Sequence, residues 1–378
     1  MSLPAEMSVL LSDVRDDKTY LDFSLASNPT PTIDGERDII IRMEAAPINP
    51  SDIGVIFGAS DRLAAEQNGE ACVSAPIDPR FKGAFEKDQY GNSRDGGIVC
   101  GNEGAGVVVA AGEDPKAQAL LGKVVATFGS GGCYATYYKT RAGGNSVMPM
   151  PDGVTPSQAA SSFVNPLTVL GMLSTGLEEG HTAVIHTAAA SQLGQMMNKV
   201  CMADNIPLVN VVRRPEQEKI LKSINPEAII VSQASPTFEA DLTAACKLTG
   251  ASIGFDATGG GSLSAQILDA IDAAGLTKEG LQLYNYGGLD TTPSTSTKEQ
   301  KARTSFWLLP MWAGKDRVQF AEAMTRVAGE ILTTFATSYT AEVGLAQAVT
   351  VDALQTYAKQ ETGKKYLLNP QLVTIAKL

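Results

Sequence analysis

The chain has 378 residues, of which 44% are hydrophobic and 19% are charged, and its formal net charge is −11 at pH 7. This length suits two domains better than one compact core, and the apolar content is sufficient to form them. The negative charge excludes nucleic acid as a partner, and no apolar stretch is long enough for a membrane span.

The cellular compartment is indicated by the N-terminus and by the cysteines. The first residues lack the basic and apolar regions of a signal peptide. The five cysteines are irregularly spaced and form no CxxC pair, which is typical of reduced and mostly buried thiols. We therefore expect a cytoplasmic protein.

The first third of the chain is predicted to be rich in β-strands. Residues 38–45, 104–110 and 123–128 are short apolar runs separated by glycine-rich turns, as in a barrel-like domain. Residues 55–98 are polar and contain several glycines and prolines. This segment is predicted to be a long excursion from the barrel, either a lid or a surface insertion without a role.

The pattern changes near residue 155, where strands begin to alternate with helices. Such alternation implies βαβ crossovers and a doubly wound parallel sheet. Helices are predicted at 157–173, 193–204, 215–223, 235–248 and 262–274, and strands at 182–187, 207–212, 228–231, 251–256 and 281–286.

A dinucleotide site is predicted at the first strand–helix turn of this region, residues 184–195. Small residues fill the turn, and Gly194 stands where the helix must pack closely on the strand. The usual fingerprint has glycines where this chain has Ala189 and Ser191. The strand before the turn and the helix after it favour a nucleotide site over an ordinary βα turn.

The end of the next strand indicates which cofactor is bound. Folds that bind NAD place an acidic residue there to hold the ribose 2′-hydroxyl, whereas this strand ends in Arg213 and Arg214. Guanidinium groups pair with a 2′-phosphate, so NADPH is favoured over NADH. Lys219 is a weaker candidate for the same phosphate. The alternative is a solvated basic corner.

Six segments stand out as motifs, which are, in chain order, AAPINPSD at 45–52, CGNEGAG at 100–106, NPLT at 165–168, YNYGGL at 284–289, FWL at 306–308 and GKKYLL at 363–368. In this order they resemble motifs of the zinc-free medium-chain dehydrogenase/reductase superfamily, with the NADPH:quinone oxidoreductases closest in pattern. The first two are also similar to motifs of mitochondrial-type enoyl reductases. The resemblance therefore covers almost the whole chain.

This resemblance implies an α/β protein with two domains and a homodimeric assembly. A GroES-like β-rich catalytic domain would comprise residues 1–154 and 326–378, around a Rossmann NADPH-binding domain with a doubly wound parallel sheet at 155–325. Asn165 and Thr168 would lie near the nicotinamide. The remaining cofactor contacts that the resemblance implies are Ala190, Ser191, Gln192 and Leu193 at the pyrophosphate, Arg213 and Arg214 at the 2′-phosphate, and Thr258, Tyr286, Gly287, Phe306, Leu308 and Lys365 elsewhere.

Zinc is not expected. The zinc alcohol dehydrogenases of this superfamily use a Cys and a His in the first two motifs, where this chain has Asn49 and Asn102. Neutral amides are poor zinc ligands. The two histidines, His181 and His186, lie far along the chain from either motif. Hydride transfer to an acceptor that is already electron-poor, such as a quinone or a conjugated enone, does not require a metal.

The first motif and the long polar segment supply the candidate catalytic residues. Related reductases often carry a tyrosine shortly after the Asp of the first motif, whereas this chain has Gly54 and Phe57 in that region. Tyr90 is either a substitute proton donor or a surface residue. Asn49 and Asp52 could position substrate or nicotinamide, and Asp52 could equally be a helix cap.

Three functions remain open. The first is NADPH-dependent reduction of quinones or related small electrophiles. The second is reduction of 2-enoyl thioesters, which needs an acid to protonate a carbanion and is put in doubt by the missing tyrosine. The third is a nucleotide-binding relative without turnover.

Overall fold

The computed structural model describes residues 3–58, 60–80, 96–129, 132–290, 292–358 and 364–372. The chain divides into two compact units, unit 1 (Met1–Val164 with Met324–Leu378) and unit 2 (Asn165–Ala323). Within the described residues, no helix is both long enough and apolar enough to cross a membrane.

The described strands and helices are numbered in chain order. The strands are β1 (Glu6–Val14), β2 (Tyr20–Pro29), β3 (Asp38–Pro47), β4 (Glu66–Gln67), β5 (Cys72–Pro76), β6 (Ile98–Val99), β7 (Glu103–Ala111), β8 (Val124–Phe128), β9 (Tyr137–Arg141), β10 (Val147–Pro149), β11 (Val184–His186), β12 (Leu208–Val212), β13 (Ile229–Ser232), β14 (Ile253–Asp256), β15 (Leu283–Asn285), β16 (Thr304–Phe306), β17 (Ala341–Gly344) and β18 (Tyr366–Asn369). The helices are α1 (Pro50–Phe57), α2 (Pro115–Gln118), α3 (Pro156–Ala159), α4 (Val164–Glu178), α5 (Gln192–Asp204), α6 (Pro215–Ile224), α7 (Phe238–Thr249), α8 (Leu263–Ala273), α9 (Lys298–Ala302), α10 (Leu309–Ala313), α11 (Arg317–Glu330), α12 (Leu345–Ala348) and α13 (Val351–Ala358).

Unit 1 contains two sheets. One has the order β4-β5-β2-β1-β6, and the other has the order β10-β8-β7-β3-β18-β17 with β9 also paired to β3. Strand β3 pairs with β7, β9 and β18, and eight of its ten residues are buried, as expected for a central strand. The pairing of Leu367 with Pro47 brings the C-terminal strand β18 into the same sheet as the N-terminal strands.

Unit 2 is built on a six-stranded parallel sheet with the order β13-β12-β11-β14-β15-β16. The five residues of β12 are all buried, which is typical of a parallel strand covered on both faces. The sheet core includes Ile185, Val209, Ile267 and Leu283. The order reverses between β11 and β14, and the predicted doubly wound parallel sheet is confirmed.

The prediction of a single helix at 157–173 is wrong. The structure has two helices there, α3 and α4, separated at residues 160–163. Pro166 has no backbone N–H and is tolerated only in the first turn of a helix, so α4 has to begin close before it. The Glu103 carboxylate accepts the backbone N–H groups of Phe163 and Val164 at 2.9 Å each and stabilises this new start.

Two other features differ from the sequence prediction. Strand β16, which extends the parallel sheet by pairing with β15, was not predicted. The segment 55–98 is also not entirely an excursion from the strands, because β5 lies within it and pairs with β2 over five residues, from Tyr20↔Pro76 to Ser24↔Cys72. Residues 81–95 of that segment, which include Tyr90, lie outside the described residues.

Candidate functional site

In unit 2, most of the predicted cofactor residues follow the carboxyl ends of parallel strands. Because all six strands run in the same direction, these ends meet at one edge of the sheet, the usual ligand edge of such folds. The residues placed there are Ala190, Ser191, Gln192 and Leu193 after β11, Arg213 and Arg214 after β12, Thr258 after β14, Tyr286 and Gly287 after β15, and Phe306 and Leu308 at the end of β16.

The turn between β11 and α5 packs so closely against the first turn of the helix that position 194 has no room for a side chain. A Cβ atom at Gly194 would lie 2.2 Å from the carbonyl oxygen of Ala189. Ala188 adopts a φ of 50°, a left-handed conformation that is costly for a residue with a Cβ. The close helix–strand packing that the dinucleotide fingerprint obtains from its last glycine is therefore present, although the other two glycines are missing.

Ser191 is the N-cap of helix α5 and occupies a position where the usual fingerprint has a glycine. Its Oγ accepts the backbone N–H of Gly194 at 3.1 Å as an N-cap. The backbone N–H groups of the first helical turn point out of the N-terminus and, together with the helix dipole, favour a negatively charged group. The turn thus fits the pyrophosphate of a dinucleotide.

Asp256, at the end of β14, ties the neighbouring loops together and was not predicted from the sequence. Its carboxylate accepts hydrogen bonds from the hydroxyls of Thr187 at 2.8 Å, Thr258 at 2.6 Å and Ser264 at 2.8 Å. The carboxylate is completely buried, and these donors replace the water it loses. The hydroxyl of Thr258 is therefore engaged inside the loop network.

The loops after β14 and β15 also touch closely. A Cβ atom on Gly287 would lie 2.4 Å from the carbonyl oxygen of Ala257, so only glycine allows this approach. The Tyr286 hydroxyl and His186 Nε2 lie 2.8 Å apart, and the two rings are stacked. Burial lowers the pKa of His186 to about 4 and raises that of Tyr286, so both groups are neutral near pH 7.

Arg213 and Arg214 are exposed at the end of β12 and form no side-chain hydrogen bond or ion pair with the described residues. Their backbone N–H groups both donate to the Gln217 side chain, at 2.9 and 3.0 Å. This cap holds the start of α6 while the guanidinium groups stay free for a ligand. Lys219, one turn further along α6, is also exposed.

The other predicted contacts in unit 2 differ in exposure. Phe306 is 71% exposed and Leu308 is 53% exposed, so both present apolar surface at the ligand edge. Asn165 and Thr168 lie in the first turns of α4 and are buried.

Unit 1 contains a buried polar cluster formed by Asn49, Glu103 and Lys365. The Lys365 Nζ donates to Asn49 Oδ1 at 2.7 Å, and Asn49 Nδ2 donates to Glu103 Oε1 at 2.9 Å. The exposed fraction is 6% for Lys365, 1% for Asn49 and zero for Glu103. Burial lowers the pKa of Lys365 and raises that of Glu103, while the attraction between their charges opposes both shifts.

Asp52 connects the first two sequence motifs. Its carboxylate accepts the backbone N–H of Asn49 and that of Asn102, each at 2.8 Å. The first of these bonds belongs to the capping box of α1. Complete burial raises the pKa of Asp52 to about 6. Of the two roles left open by the sequence, this geometry favours a cap that fixes the 49–52 turn against residue 102.

Sequence reasoning placed Lys365 at the cofactor and did not assign Glu103 or its contacts. The structure brings Lys365 and Glu103 together through Asn49, three residues that are far apart in the sequence. The available signal was the presence of two ionisable residues, Glu103 and Lys365, in motifs that consist largely of apolar or small residues. Among the described residues, no three His, Cys, Asp or Glu side chains converge as metal ligands would.

Comparison of the sequence with family models gives no match. The chain is similar to two curated mitochondrial enoyl-[acyl-carrier-protein] reductases. It is 28% identical to the one from Homo sapiens over 202 residues, covering 52% of this chain and 45% of that protein. It is 27% identical to the one from Mus musculus over 283 residues, covering 72% of this chain and 65% of that protein. The matched part of the chain thus spans less than half of the length of the first relative and just under two thirds of the length of the second.

Solved structures match over almost the whole chain. A candidate NADPH:quinone reductase from Mesorhizobium loti has a TM-score of 0.72 at 24% identity, covering 98% of this chain and all of that one. A similar protein from Bacillus thuringiensis has a TM-score of 0.71 at 20% identity, covering 97% and 99%. The Etr1p complex with NADP and crotonyl-CoA has a TM-score of 0.68 at 17% identity, covering 96% and 99%.

These comparisons confirm the predicted fold. The neighbours share the fold of this chain over almost its whole length, including its β-rich unit and its unit built on a six-stranded parallel sheet. The curated relatives belong to the same superfamily, so the resemblance seen in the motifs is confirmed. At these identities the structural likeness establishes the fold and leaves the substrate open.

Proposed function

We propose that this chain is an NADPH-dependent reductase that transfers a hydride, without a metal, to quinones or related electron-poor small molecules. The observation that carries the proposal is the ligand edge of unit 2. There the tight turn at Gly194 precedes a helix N-terminus, and two free guanidinium groups follow the adjacent strand. Neighbours of the same fold include an NADP complex, which supports this choice of cofactor.

Each part of the proposed cofactor has a matching group in unit 2. The start of α5 would hold the pyrophosphate, and Arg213 and Arg214 the 2′-phosphate. The glycine contacts between the loops after β14 and β15 would let the dinucleotide lie close to the backbone there. When bound, NADPH supplies the hydride, and the protein supplies orientation and exclusion of water.

A second candidate function is reduction of 2-enoyl thioesters. The curated relatives are enoyl-[acyl-carrier-protein] reductases, and one structural neighbour holds crotonyl-CoA. Against it stands the lack of a tyrosine shortly after Asp52 in the sequence, where Gly54 and Phe57 are found. Protonation of a carbanion needs an acid in place, whereas a reduced quinone can take its protons from water.

We further propose a homodimer formed through unit 2. Strand β16 ends the parallel sheet and pairs with β15 alone among the described strands. An unpaired strand edge next to exposed apolar side chains is a ready surface for a second copy. Light scattering of the purified protein tests this, and a monomer at micromolar concentration would contradict it.

The test of function is NADPH oxidation against quinones, enones and crotonyl thioesters, with NADH as the control cofactor. We expect turnover with quinones and a preference for NADPH. Turnover with crotonyl thioesters alone would favour the second candidate. NADPH binding without consumption by any acceptor would indicate a nucleotide-binding protein that lacks turnover.

Variants of the arginine pair make this test specific. Replacing both Arg213 and Arg214 by Ala should raise the Kd for NADPH about 10- to 100-fold, because charge-assisted hydrogen bonds to the phosphate are lost. The Kd for NADH should not change. Arg317→Ala, which removes an exposed charge from α11 in the same unit, is the matched control. An equal rise in the Kd for NADPH and for NADH would contradict the assignment of Arg213 and Arg214 to the 2′-phosphate.

A further inference from the structure

The contact between His186 and Tyr286 crosses the ligand edge of unit 2. His186 is the last residue of β11 and Tyr286 follows β15, while β14 lies between these two strands in the sheet. The backbone N–H of Tyr286 donates to the carbonyl oxygen of Asp256, the last residue of β14, at 3.0 Å. The Tyr286 side chain therefore reaches across the carboxyl end of β14 to bring its hydroxyl within 2.8 Å of His186 Nε2.

The second nitrogen of the His186 ring indicates which group donates in this contact. His186 has no exposed surface, and its Nδ1 has no hydrogen-bond partner among the described residues. Because the buried imidazole is neutral, one of its nitrogens carries a proton and the other does not. A proton on Nδ1 would leave a buried N–H without an acceptor, which is rarer in folded proteins than an acceptor without a donor. The proton is therefore assigned to Nε2, which donates to the Tyr286 oxygen.

This assignment leaves the hydroxyl proton of Tyr286 available. A hydroxyl that accepts a hydrogen bond from its neighbour keeps its own proton for another acceptor. Within the described part of the chain, the contact with His186 is the one hydrogen bond of this hydroxyl. Tyr286 is partly exposed, so a ligand at this edge can supply the missing acceptor.

The order of the strands indicates which part of the cofactor lies beside Tyr286. The proposed 2′-phosphate contacts, Arg213 and Arg214, follow β12, and the helix start proposed for the pyrophosphate follows β11. A dinucleotide lies across the point where the strand order reverses, which here is between β11 and β14. Its nicotinamide half therefore continues towards β14 and β15, where Tyr286 stands. All of these groups belong to unit 2.

We propose that His186 is a positioning residue for NADPH. Its Nε2–H holds the Tyr286 phenol so that the phenol donates a hydrogen bond to an oxygen of the nicotinamide half, either a ribose hydroxyl or the carboxamide. This deepens the proposed function and rests on it for the identity of the cofactor. The sequence motifs indicated Tyr286 as a cofactor contact, whereas His186 was noted only as a residue unsuited to bind zinc.

The experiment titrates NADPH and adenosine 2′,5′-bisphosphate, which carries the 2′-phosphate but lacks the nicotinamide half. Tyr286→Phe and His186→Leu should each raise the Kd for NADPH about 3- to 10-fold, because a hydrogen bond to the cofactor is lost or misdirected. The Kd for the bisphosphate should not change. His181→Leu is the matched control, since His181 is also buried in unit 2 but precedes β11 and therefore lies at the opposite edge of the sheet. It should bind both ligands as wild type does.

Two further variants test whether His186 acts through Tyr286. The amide N–H of His186→Gln can donate to the phenol in place of Nε2–H, so this variant should restore the wild-type Kd for NADPH to within about twofold. Adding His186→Leu to Tyr286→Phe should cause no further rise in the Kd, because the phenol on which His186 acts is already absent. Thermal unfolding of each variant identifies losses that arise from misfolding.

Three outcomes would overturn the inference. The first is an unchanged Kd for NADPH in either single variant, and the second is an equal rise for NADPH and for the bisphosphate. The third is a His186→Gln variant that binds NADPH as weakly as His186→Leu. These titrations require no turnover, so a wild type that shows the expected pattern but reduces no acceptor would remove the proposed function and leave the role of His186 intact.

Discussion

Replacing Gly194 by Ala tests the close contact on which the nucleotide site depends. The added Cβ would lie 2.2 Å from the carbonyl oxygen of Ala189 and 2.5 Å from its carbonyl carbon, whereas ordinary contacts begin at 3.4 Å. Both atoms belong to the backbone and cannot rotate away as a flexible side chain could. The helix α5 and the turn before it must therefore move apart by about 1 Å.

The sign of the effect on stability follows from two opposing contributions. Helix propensity alone favours Ala over Gly by about 1 kcal/mol in a helix interior. Overpacking in a tightly packed region costs about 1–3 kcal/mol, and a backbone clash lies at the upper end of that range. The net result should be a loss of about 1–2 kcal/mol, which corresponds to a fall in Tm of about 2–8 °C for a domain of this size.

Gly176→Ala is the matched control. Gly176 is a buried helical glycine of unit 2, but its Cβ would meet Ile253 Cγ2 at 3.6 Å and Val184 Cγ1 at 3.7 Å, which are ordinary contacts. Its Tm should stay the same or rise. Calorimetry and NADPH titration of both variants decide the matter. If Gly194→Ala matched Gly176→Ala in Tm and in NADPH affinity, the close packing at the turn would not form the site.

Three further predictions follow from charges in the two units. The folded pKa of Asp52 is raised from 3.8 to about 6, so its protonated form stabilises the fold at low pH and this contribution is lost as the pH rises from about 4 to about 6. In urea unfolding, the free energy of unfolding of wild type should fall by on the order of 3 kcal/mol relative to that of Asp52→Asn across that window. A difference between the two proteins that stays constant with pH would refute this prediction. Glu103→Gln should lower the free energy of unfolding by about 1–3 kcal/mol, because one of the N–H groups that the carboxylate accepts loses its partner. Glu66→Gln, on the exposed strand β4, is the control. Equal stabilities of the two variants would argue against a stabilising role for the buried polar cluster. The Kd for NADPH should rise with salt more steeply than that for NADH, as expected for exposed guanidinium–phosphate pairs, and identical slopes would speak against Arg213 and Arg214.

The parallel sheet could be predicted because its pattern is local. Apolar runs such as 207–212 and 251–256 alternate with amphipathic helices, and each strand end marks where a ligand group stands. The helix split at 160–163 was missed because apolar periodicity continues across it. The start of α4 depends on Pro166 and on a carboxylate from β7, and the second of these is a long-range contact.

The unit 1 cluster could not be derived from the sequence for the same reason. Lys365 and Asn49 are 316 residues apart and meet only because β18 pairs with β3. Sequence patterns report the face on which a residue lies, whereas partners across a sheet depend on the register of distant strands. Asp52 shows the difference clearly: its position suggested a cap, and only the fold shows that it also holds the backbone of Asn102.

The measurement that tests the central claim most directly is the primary kinetic isotope effect on quinone reduction with NADPH deuterated at the transferred position. Hydride transfer from NADPH predicts saturable cofactor consumption that requires a quinone, is slower with the deuterated cofactor and is faster with NADPH than with NADH. NADPH binding without consumption, or consumption that is the same with boiled protein, would contradict the account.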